Sequence, residues 1–324
     1  MAHRPPFVLT PEILRTCLEI SRLIGKYEGL LSPAPQPNLR RQNRIKTIQG
    51  SLAIEGNTLS IAQITAVFEK KRVVGDRREI LEVRNAINAY ERATGFDWTA
   101  QKDLLKAHGI LMENLINDAG QWRSTNVGIL KGTKVSHVAP KANRVPELMT
   151  SLFNFLKSDR EVHDFVKACV FHYELEFIHP FTDGNGRIGR LWQHVILLNN
   201  HRLFEFIPIE SIIRRHQVEY YQALEASDKK GNSTAFIEFS LRTILIAFEE
   251  FFEELRPEPL TSDRRLEMAR EHFGSTKFAR KDYILFFKTM STATASRDLL
   301  EGVERKLLKK TGTKSLAKYE FKVR

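Results

Sequence analysis

The chain has 324 residues, which is long enough for more than one domain and a substantial buried core. Lysine and arginine outnumber aspartate and glutamate by 50 to 39, and the formal net charge of +11 allows contact with phosphate groups without identifying a ligand. The two cysteines, Cys17 and Cys169, indicate no disulfide framework, the N-terminus lacks the apolar stretch of a signal peptide, and no apolar run approaches the ~18 residues of a membrane span. We therefore expect a cytoplasmic protein that does not cross a membrane.

The first 95 residues predict a set of helices. A helical segment from about Pro11 to Leu30 is followed by a proline-rich break from Ser32 to Pro37. The next helix carries Glu55 near its end, and Gly56 favours a stop there because glycine readily adopts the left-handed conformation of a helix terminus. From Gly75 to Ala93, glutamate and arginine are spaced as on a solvated helix. We assign residues 1–95 to an N-terminal helical region, with the Glu55 helix at about residues 45–57.

A β-hairpin is predicted between Gly120 and Met149. Val127 to Leu130 and Val135 to Ala139 are short β-prone runs, and the turn between them, Lys131-Gly132-Thr133-Lys134, contains glycine and has hairpin length. An exposed strand edge in such a hairpin can dock an extended peptide through its backbone. A hairpin with a purely structural role would show the same pattern.

Residues 179–190 read His-Pro-Phe-Thr-Asp-Gly-Asn-Gly-Arg-Ile-Gly-Arg, and this segment combines several groups suited to phosphate chemistry. Pro180 biases His179 towards an extended conformation at the end of a helix. An unperturbed imidazole, with a pKa of about 6.5, suits a general base that takes a hydroxyl proton near neutral pH. Asp183 offers an oxygen ligand of the kind that holds Mg²⁺ together with substrate phosphates.

The second half of the segment predicts an anion site at the start of a helix. Gly184-Asn185-Gly186 lacks bulk, so its backbone N–H groups can turn inwards. Arg187 and Arg190 share one face of the helix that follows, where guanidinium groups can grip phosphate oxygens. The helix itself is indicated by apolar residues at spacings of four and three, namely Leu191, Val195 and Leu198. A Walker A loop is excluded because Gly-Lys-Ser/Thr is absent, and a dinucleotide fingerprint because no strand precedes the glycines.

The remainder of this region completes a predicted core over residues 96–256. One of the adjacent tyrosines Tyr220 and Tyr221 would wall an adenine base, although aromatics at helical spacing more often pack in a core. Cys169 and His172 precede His179, but a zinc site needs more ligands at closer spacing, so we expect them to pack between helices. Leu241 to Leu255 predicts an amphipathic helix, and the Pro-Glu-Pro of residues 257–259 predicts a linker.

The last segment, residues 261–324, is strongly basic. It holds 16 lysine and arginine residues against 8 aspartate and glutamate, so most of the chain's positive charge lies here. Helices are predicted from Asp263 to Phe273, from Arg280 to Lys288 and after Ser291, and two strands around residues 309–314 and 319–322 would form a wing. The pattern predicts a winged helix-turn-helix, in which Ser296 and Arg297 would face a DNA groove or its phosphates, and Lys309, Lys310 and Lys314 the DNA backbone.

The run from His179 to Arg190 resembles the signature of the Fic (filamentation induced by cAMP) family, His-Pro-Phe-x-Asp/Glu-Gly-Asn-Gly-Arg-x-x-Arg, at every defining position. The resemblance implies a mainly α fold, with a Fic-fold helical core and a small β-hairpin flap, here followed by the winged helix-turn-helix. It also implies AMPylation, the transfer of AMP from ATP to a Ser, Thr or Tyr hydroxyl of a target protein, with Mg²⁺ or Mn²⁺ as cofactor. Kinase-like members of the family depart from glycine at the position of Gly184, so AMP transfer is favoured over phosphorylation.

The family's scheme implies a role for each residue of the run. His179 would deprotonate the acceptor hydroxyl, and Asp183 would hold the metal ion on the α- and β-phosphates. The backbone from Gly184 to Gly186 would cradle these phosphates, and Asn185 would help to position the α-phosphate. Arg187 and Arg190 would carry the β- and γ-phosphates. The flap residues Gly128, Ile129, Leu130 and Lys131 would dock the target segment by strand addition.

Residues 51–57, Ser-Leu-Ala-Ile-Glu-Gly-Asn, resemble the Ser/Thr-x-x-x-Glu-Gly/Asn inhibitory motif of the same family. A bidentate pair between Glu55 and Arg190 would occupy the guanidinium fork that the γ-phosphate needs, and would hold ATP in an unproductive pose. In some members the same glutamate supports removal of AMP, so a reverse hydrolytic activity stays open, as do self-modification and a homodimer. The alternative from a different class is a transcriptional regulator that binds DNA through the winged helix and uses the core as a sensor.

Overall fold

The computed structural model describes residues 4–29, 37–131, 134–255, 260–288, 290–313 and 316–322. The chain divides into two compact units, residues 1–253 and 254–324. Lys314, the hairpin turn residues Gly132 and Thr133, and the predicted linker at residues 257–259 lie outside the described residues. Within the described ranges, no helix combines the length and the apolar character needed to cross a membrane.

The first unit is built mainly from helices. In chain order they are α1 (Pro11–Gly29), α2 (Pro37–Ile54), α3 (Ile61–Phe68), α4 (Arg77–Glu91), α5 (Gln101–Leu111), α6 (Val145–Ser158), α7 (Asp164–Ile178), α8 (Asn185–Asn200), α9 (Ile209–Arg215), α10 (Gln217–Lys230) and α11 (Thr234–Glu254). Short 3-10 turns lie at Ala93–Gly95, Ala142–Arg144 and Arg202–Phe206. The mainly helical fold class is confirmed.

Helices α7 and α8 pack against each other at the centre of this unit. Every residue of α8 from Arg187 to Leu198 is buried, including Arg190 and Gln193. Buried polar groups are costly unless they are hydrogen-bonded, so the arginines of α8 must have partners inside the unit. These partners define the site described below.

Local sequence explains how α2, α3 and α4 are arranged. The Ser60 hydroxyl and the Gln63 side chain form a reciprocal capping box at the start of α3. Helix α4 begins two residues later than predicted because Asp76 accepts hydrogen bonds from the N–H groups of Arg78 and Glu79. Helix α2 lies against α9 at Gly50, where an added Cβ would fall 2.6 Å from a backbone carbon of Glu210. The predicted N-terminal helical region and the predicted core therefore share one unit.

The predicted hairpin is confirmed, with its strands displaced by one residue. Strand β1 (Gly128–Lys131) pairs antiparallel with β2 (Lys134–Val138), from Gly128 opposite Val138 to Lys131 opposite Lys134. The register shifts between Ile129 and Leu130, which is the irregularity of a β-bulge. The hairpin lies between α5 and α6 in the chain.

The second unit contains α12 (Ser262–Phe273), β3 (Phe278–Ala279), α13 (Arg280–Phe287), α14 (Thr292–Glu304), β4 (Leu308–Thr311) and β5 (Lys318–Phe321). The strands form an antiparallel sheet in the order β3, β5, β4. This succession is that of a winged helix-turn-helix. Strand β3 was not predicted because two residues are too short to show an alternating pattern. The core of the unit consists of Leu266, Ala269, Phe278, Tyr283, Ala295, Leu299, Leu308 and Phe321.

Candidate active site

His179 directly follows α7 and caps it in the left-handed conformation, with φ 49° and ψ 59°. Its N–H donates to the carbonyl of Leu175 at 2.9 Å. The extended conformation predicted from Pro180 is therefore wrong, because the helix cap and the contacts below fix the backbone instead. A residue other than glycine costs on the order of 1–3 kcal/mol in this region, so its surroundings must hold it there.

Arg123 binds the backbone of the turn formed by His179 and Pro180, here called the histidine turn. Its side chain is buried, and Nε donates to the carbonyl of His179 at 2.7 Å. Its backbone N–H donates to the carbonyl of Pro180 at 2.9 Å. The other guanidinium nitrogens donate to the carbonyls of Thr125 at 2.8 Å and Pro140 at 2.5 Å, which lie on either side of the hairpin. Burial lowers the pKa of the Arg123 guanidinium. Sequence reasoning missed this residue, because a single arginine before a hairpin shows no pattern.

The loop between α7 and α8 is fixed by His108 and Asn185. His108 stacks on Phe181 with ring centroids 3.6 Å apart. Its Nδ1 accepts from the N–H of Gly120 at 2.9 Å, so Nε2 carries the proton and donates to the carbonyl of Asp183 at 3.0 Å. Asn185 bonds the N–H and the carbonyl of Phe181, each at 2.9 Å. The side chain of Asn185 therefore holds the loop through both its oxygen and its nitrogen.

Gly184 is required at the start of α8 for two reasons. It has φ +84°, which favours glycine, and an added Cβ would fall 2.6 Å from Sδ of Met112. Gly184 is also the N-cap of α8, and it provides no side-chain cap. The N–H groups in the first turn of a helix have no intrahelical partner, so this helix start is suited to an anion.

Arg190 pairs with the predicted inhibitory residue. Its Nη2 donates to Oε1 of Glu55 at 2.6 Å and to the carbonyl of Ser51 at 3.0 Å, and its Nε donates to the Ser51 hydroxyl at 3.1 Å. The contact with Glu55 is thus a single hydrogen bond through Nη2 and not the predicted bidentate pair, and Ser51 accepts from Nε and from the same Nη2. Burial alone would lower the pKa of Arg190, but Glu55 and the other acidic groups around it outweigh this and raise the pKa.

The Glu55 carboxylate lies directly over the glycine loop. Helix α2 ends at Ile54, and Gly56, with φ +94°, turns the chain so that Glu55 faces α8. A Cβ at Gly186 would clash with Oε1 of Glu55 and would lie 3.3 Å from Oε1 of Glu176. Gly186 is therefore enclosed between two carboxylates, one of them that of Glu55.

Arg187 is held by two further carboxylates. Its Nη2 donates to Oδ1 of Asp183 at 2.8 Å, and its Nη1 donates to Oε1 of Glu82 on α4 at 3.3 Å. Oε2 of Glu82 accepts from Asn57 at 2.9 Å. A hydrogen-bonded series thus leads from Asn57, in the turn after α2, through Glu82 and Arg187 to Asp183. Glu82 was not identified from the sequence, because its solvated helical pattern gave no sign of an inward role.

The adjacent tyrosines of α10 have different environments. Tyr220 is 1% exposed, and its hydroxyl lies 3.2 Å from both Oε1 of Glu176, to which it donates, and Nε2 of His172. Burial raises the pKa of Tyr220 well above its usual value. Tyr220 is therefore a core residue, which corrects its predicted place in the nucleotide site. Tyr221 is 39% exposed, so its ring is accessible to a base.

Asp183 provides the oxygen expected of a magnesium ligand. Its side chain is 42% exposed, and Oδ1 accepts from the N–H of Gly184 at 2.6 Å as well as from Arg187. Among the described residues, no group of three His, Cys, Asp or Glu side chains could hold a metal ion. A single accessible carboxylate that shares the ion with substrate phosphates is the usual donor set for Mg²⁺, so the residues present fit this cofactor.

In the winged helix-turn-helix, the predicted DNA-facing residues lie on α14 and β4. Arg297, Lys309 and Lys310 are exposed. Ser296 is half-buried, and its hydroxyl accepts from Arg280 at 3.0 Å and donates to the carbonyl of Thr292.

The fold and the site define a helical protein in which a histidine-bearing loop leads into a helix start that has no side-chain cap. Residues 98–197 match the model of the Fic/DOC family. The chain is 38% identical to a Fic family protein of known structure from Desulfovibrio desulfuricans G20, with a TM-score of 0.74 and 99% of each chain covered. It therefore belongs to the Fic family.

Other relatives match part of their own length. The chain is 30% identical over 276 residues to "Protein adenylyltransferase Fic" of Culex quinquefasciatus, covering 78% of this chain and 53% of that protein. It is 28% identical over 284 residues to the protein of the same name from Nematostella vectensis, covering 81% and 62%. The chain thus spans just over half the length of these relatives. Fic-1 (residues 134–508) from C. elegans, at 22% identity and a TM-score of 0.60, covers 76% of this chain and 72% of its own and shares the fold.

Proposed function

We propose that this protein is a protein adenylyltransferase that transfers AMP from ATP to a hydroxyl of a target protein, and that Glu55 inhibits this transfer. The observation that carries the proposal is the placement of the Glu55 carboxylate over Gly186, in contact with Arg190. A carboxylate that covers this helix start and holds Arg190 would compete with the phosphates of ATP for both. The names of the adenylyltransferase relatives support the same reaction.

In the proposed reaction, the acceptor oxygen attacks the α-phosphorus of ATP while His179 takes the hydroxyl proton. A bond forms between the acceptor oxygen and the α-phosphorus, the bond to the bridging oxygen of the β-phosphate breaks, and pyrophosphate leaves. The left-handed backbone of His179 fixes the direction in which the imidazole leaves α7. The target is a Ser, Thr or Tyr side chain, docked through its backbone at the edge of the hairpin.

The phosphates would bind at the start of α8, beside Arg187 and Arg190. The uncapped N–H groups at the start of α8 would hold the α- and β-phosphates, and Arg187 and Arg190 the β- and γ-phosphates. Asp183 would hold Mg²⁺, which neutralises phosphate charge when bound. The exposed ring of Tyr221 would stack on the adenine.

Inhibition would follow from competition for Arg190. The γ-phosphate needs the guanidinium that Glu55 occupies, so ATP would bind with its terminal phosphate displaced while Glu55 stays in place. Removing Glu55 would free Arg190 without changing His179.

Transfer of labelled AMP from ATP and Mg²⁺ tests the proposal. We expect label on the protein itself, or on proteins of a cell lysate, to increase strongly in Glu55→Gly and to disappear when His179→Ala is added. His179→Ala should still bind ATP, because the phosphate contacts lie on α8. Equal labelling of all variants, or none in any, would refute the proposed function.

Glu55 would also orient a water molecule for removal of AMP from a modified target. Its carboxylate is 34% exposed, so water can reach it. If this reverse activity exists, wild-type protein should release AMP from the label that Glu55→Gly has attached, and Glu55→Gly should not. Equal release by both would exclude a role for Glu55.

A DNA-binding role for residues 254–324 is a second candidate function, because exposed Arg297, Lys309 and Lys310 lie on the third helix and the wing. Binding to duplex DNA should weaken steeply with salt, and Lys309→Gln with Lys310→Gln should make the salt dependence shallower. Binding that does not change with these substitutions would rule out the wing as the contact surface.

A further inference from the structure

Arg123 links the hairpin to the turn that carries His179. Its Nη1 and Nη2 donate to the carbonyl of Thr125, three residues before β1, and to that of Pro140, two residues after β2. Its Nε donates to the carbonyl of His179, and its backbone N–H to that of Pro180. One side chain therefore bonds both ends of the hairpin and the backbone of the proposed general base.

We propose that Arg123 is a positioning residue that couples target docking on the hairpin to the orientation of His179. The inference rests on the proposed adenylyl transfer, and it goes beyond that proposal by assigning a residue outside the family's signature. A strand added to the hairpin edge would move or stiffen the hairpin. The planar guanidinium would then transmit that change to the histidine backbone through a short series of hydrogen bonds.

Two features make this coupling rigid. The guanidinium is planar and presents its donors in a fixed geometry, so one carbonyl cannot move without straining the bonds to the others. Arg123 is also only 2% exposed, so water cannot readily replace a lost partner. The two ends of the hairpin are joined independently of Arg123, since the Ala142 N–H donates to the Asn126 side chain at 2.8 Å. They can therefore respond as one body.

The coupling matters for catalysis because His179 has a left-handed backbone that its surroundings must impose. A base displaced by about 1 Å loses about 100-fold in rate. Arg123 touches neither ATP nor the acceptor in this scheme, so its loss should slow transfer without weakening nucleotide binding.

The test uses the full chain carrying Glu55→Gly, with Arg123→Lys and Arg123→Met as variants. Lysine keeps the charge but cannot reach all the carbonyls, and methionine keeps the approximate size without any donor. Lys167→Met is the matched control. Lys167 is also buried and donates to a backbone carbonyl, that of Leu156 at 3.5 Å, but it lies at the start of α7, away from the hairpin and the histidine turn.

Two readouts are needed. Amide hydrogen exchange, which does not depend on activity, should accelerate in residues 124–141 and 179–184 together in Arg123→Lys, and in neither segment in Lys167→Met. The initial rate of labelled AMP incorporation at saturating ATP should fall about 10- to 100-fold in both Arg123 variants. The dissociation constant of a fluorescent ATP analogue should stay unchanged.

Faster exchange in only one of the two segments would overturn the coupling. So would a transfer rate equal to that of the Glu55→Gly parent, or a loss of rate that matches a loss of ATP binding. If the Glu55→Gly parent transfers no AMP, the proposed function fails, and the exchange result still decides whether Arg123 couples the hairpin to the histidine turn.

Discussion

Replacing Glu55 by glutamine removes the charge that we propose to be inhibitory, while keeping the size of the side chain. Oε1 of Glu55 accepts from Arg190 at 2.6 Å, and the side chains of Arg190 and Glu55 are 1% and 34% exposed. A hydrogen bond to a charged group contributes about 1.5–3 kcal/mol, and screening at the exposed Glu55 brings this to about 1–2 kcal/mol. Because the γ-phosphate must displace this contact, Glu55→Gln should favour productive ATP binding about 5- to 30-fold.

The assay is the initial rate of labelled AMP incorporation into the protein at a fixed, subsaturating ATP concentration with Mg²⁺. We expect wild type to be the slowest, Glu55→Gln to be faster and Glu55→Gly to be the fastest. Glutamine is intermediate because it can still form one neutral hydrogen bond with Arg190. Glu69→Gln is the matched control. Glu69 also pairs with an arginine, Arg41 of helix α2, but this pair lies outside the site. The reasoning is refuted if Glu55→Gln is no faster than wild type, or if Glu69→Gln accelerates transfer equally.

Three further predictions concern the surroundings of the site. Gly50→Ala would place a methyl group 2.6 Å from the Glu210 backbone, so α2 must shift and carry Glu55 away from Arg190. Urea unfolding should show that the free energy of unfolding falls by about 1–3 kcal/mol, and labelling of the protein with AMP should rise. A loss of stability without a rise in labelling would contradict the role of α2 in holding Glu55 against Arg190. Glu82→Gln, made in the Glu55→Gly protein, removes one charged partner of Arg187 and leaves it more tightly paired with Asp183. Asp183 is then less available to Mg²⁺, so the Mg²⁺ concentration for half-maximal transfer should increase. An unchanged Mg²⁺ requirement would argue against a link from Glu82 to Asp183. Burial lowers the pKa of His108 to about 4. As the pH falls, His108 is protonated in the unfolded chain at a pKa of about 6.5, but in the folded protein only near pH 4. Protonation therefore favours the unfolded state, and the stability present above pH 6.5 is lost as the pH falls towards 4. His108→Asn should show a smaller decrease in Tm across this window than wild type, and equal decreases would mean that His108 does not titrate as described.

The sequence indicated the features that depend on local order along the chain. Three features of this kind are the run from His179 to Arg190, the hairpin and the winged helix. Each lies within a short segment, so its residue types or the spacing of its apolar residues can be recognised in the sequence alone. The contact between Glu55 and Arg190 joins residues far apart in the chain, and it was predicted only because the segment around Glu55 resembles a known motif.

The features that were not predicted depend on contacts across the fold. Arg123 donates to backbone carbonyl groups that come together only when the hairpin and the loop after α7 have formed. Every residue has a backbone carbonyl, so a sequence cannot show which of them will accept these bonds. The bonds from Arg190 to the hydroxyl and the carbonyl of Ser51 were not predicted for the same reason. Tyr220 and Tyr221 are neighbours on a helix and point about 100° apart, so their pattern could not show which one is buried.

Mass spectrometry of the intact Glu55→Gly protein after incubation with ATP and Mg²⁺ tests the central claim most directly. The account predicts that the protein gains AMP on a hydroxyl side chain, and that the same protein with His179→Ala gains nothing. Addition of phosphate in place of AMP, or AMP addition that persists without His179, would contradict the proposed adenylyl transfer.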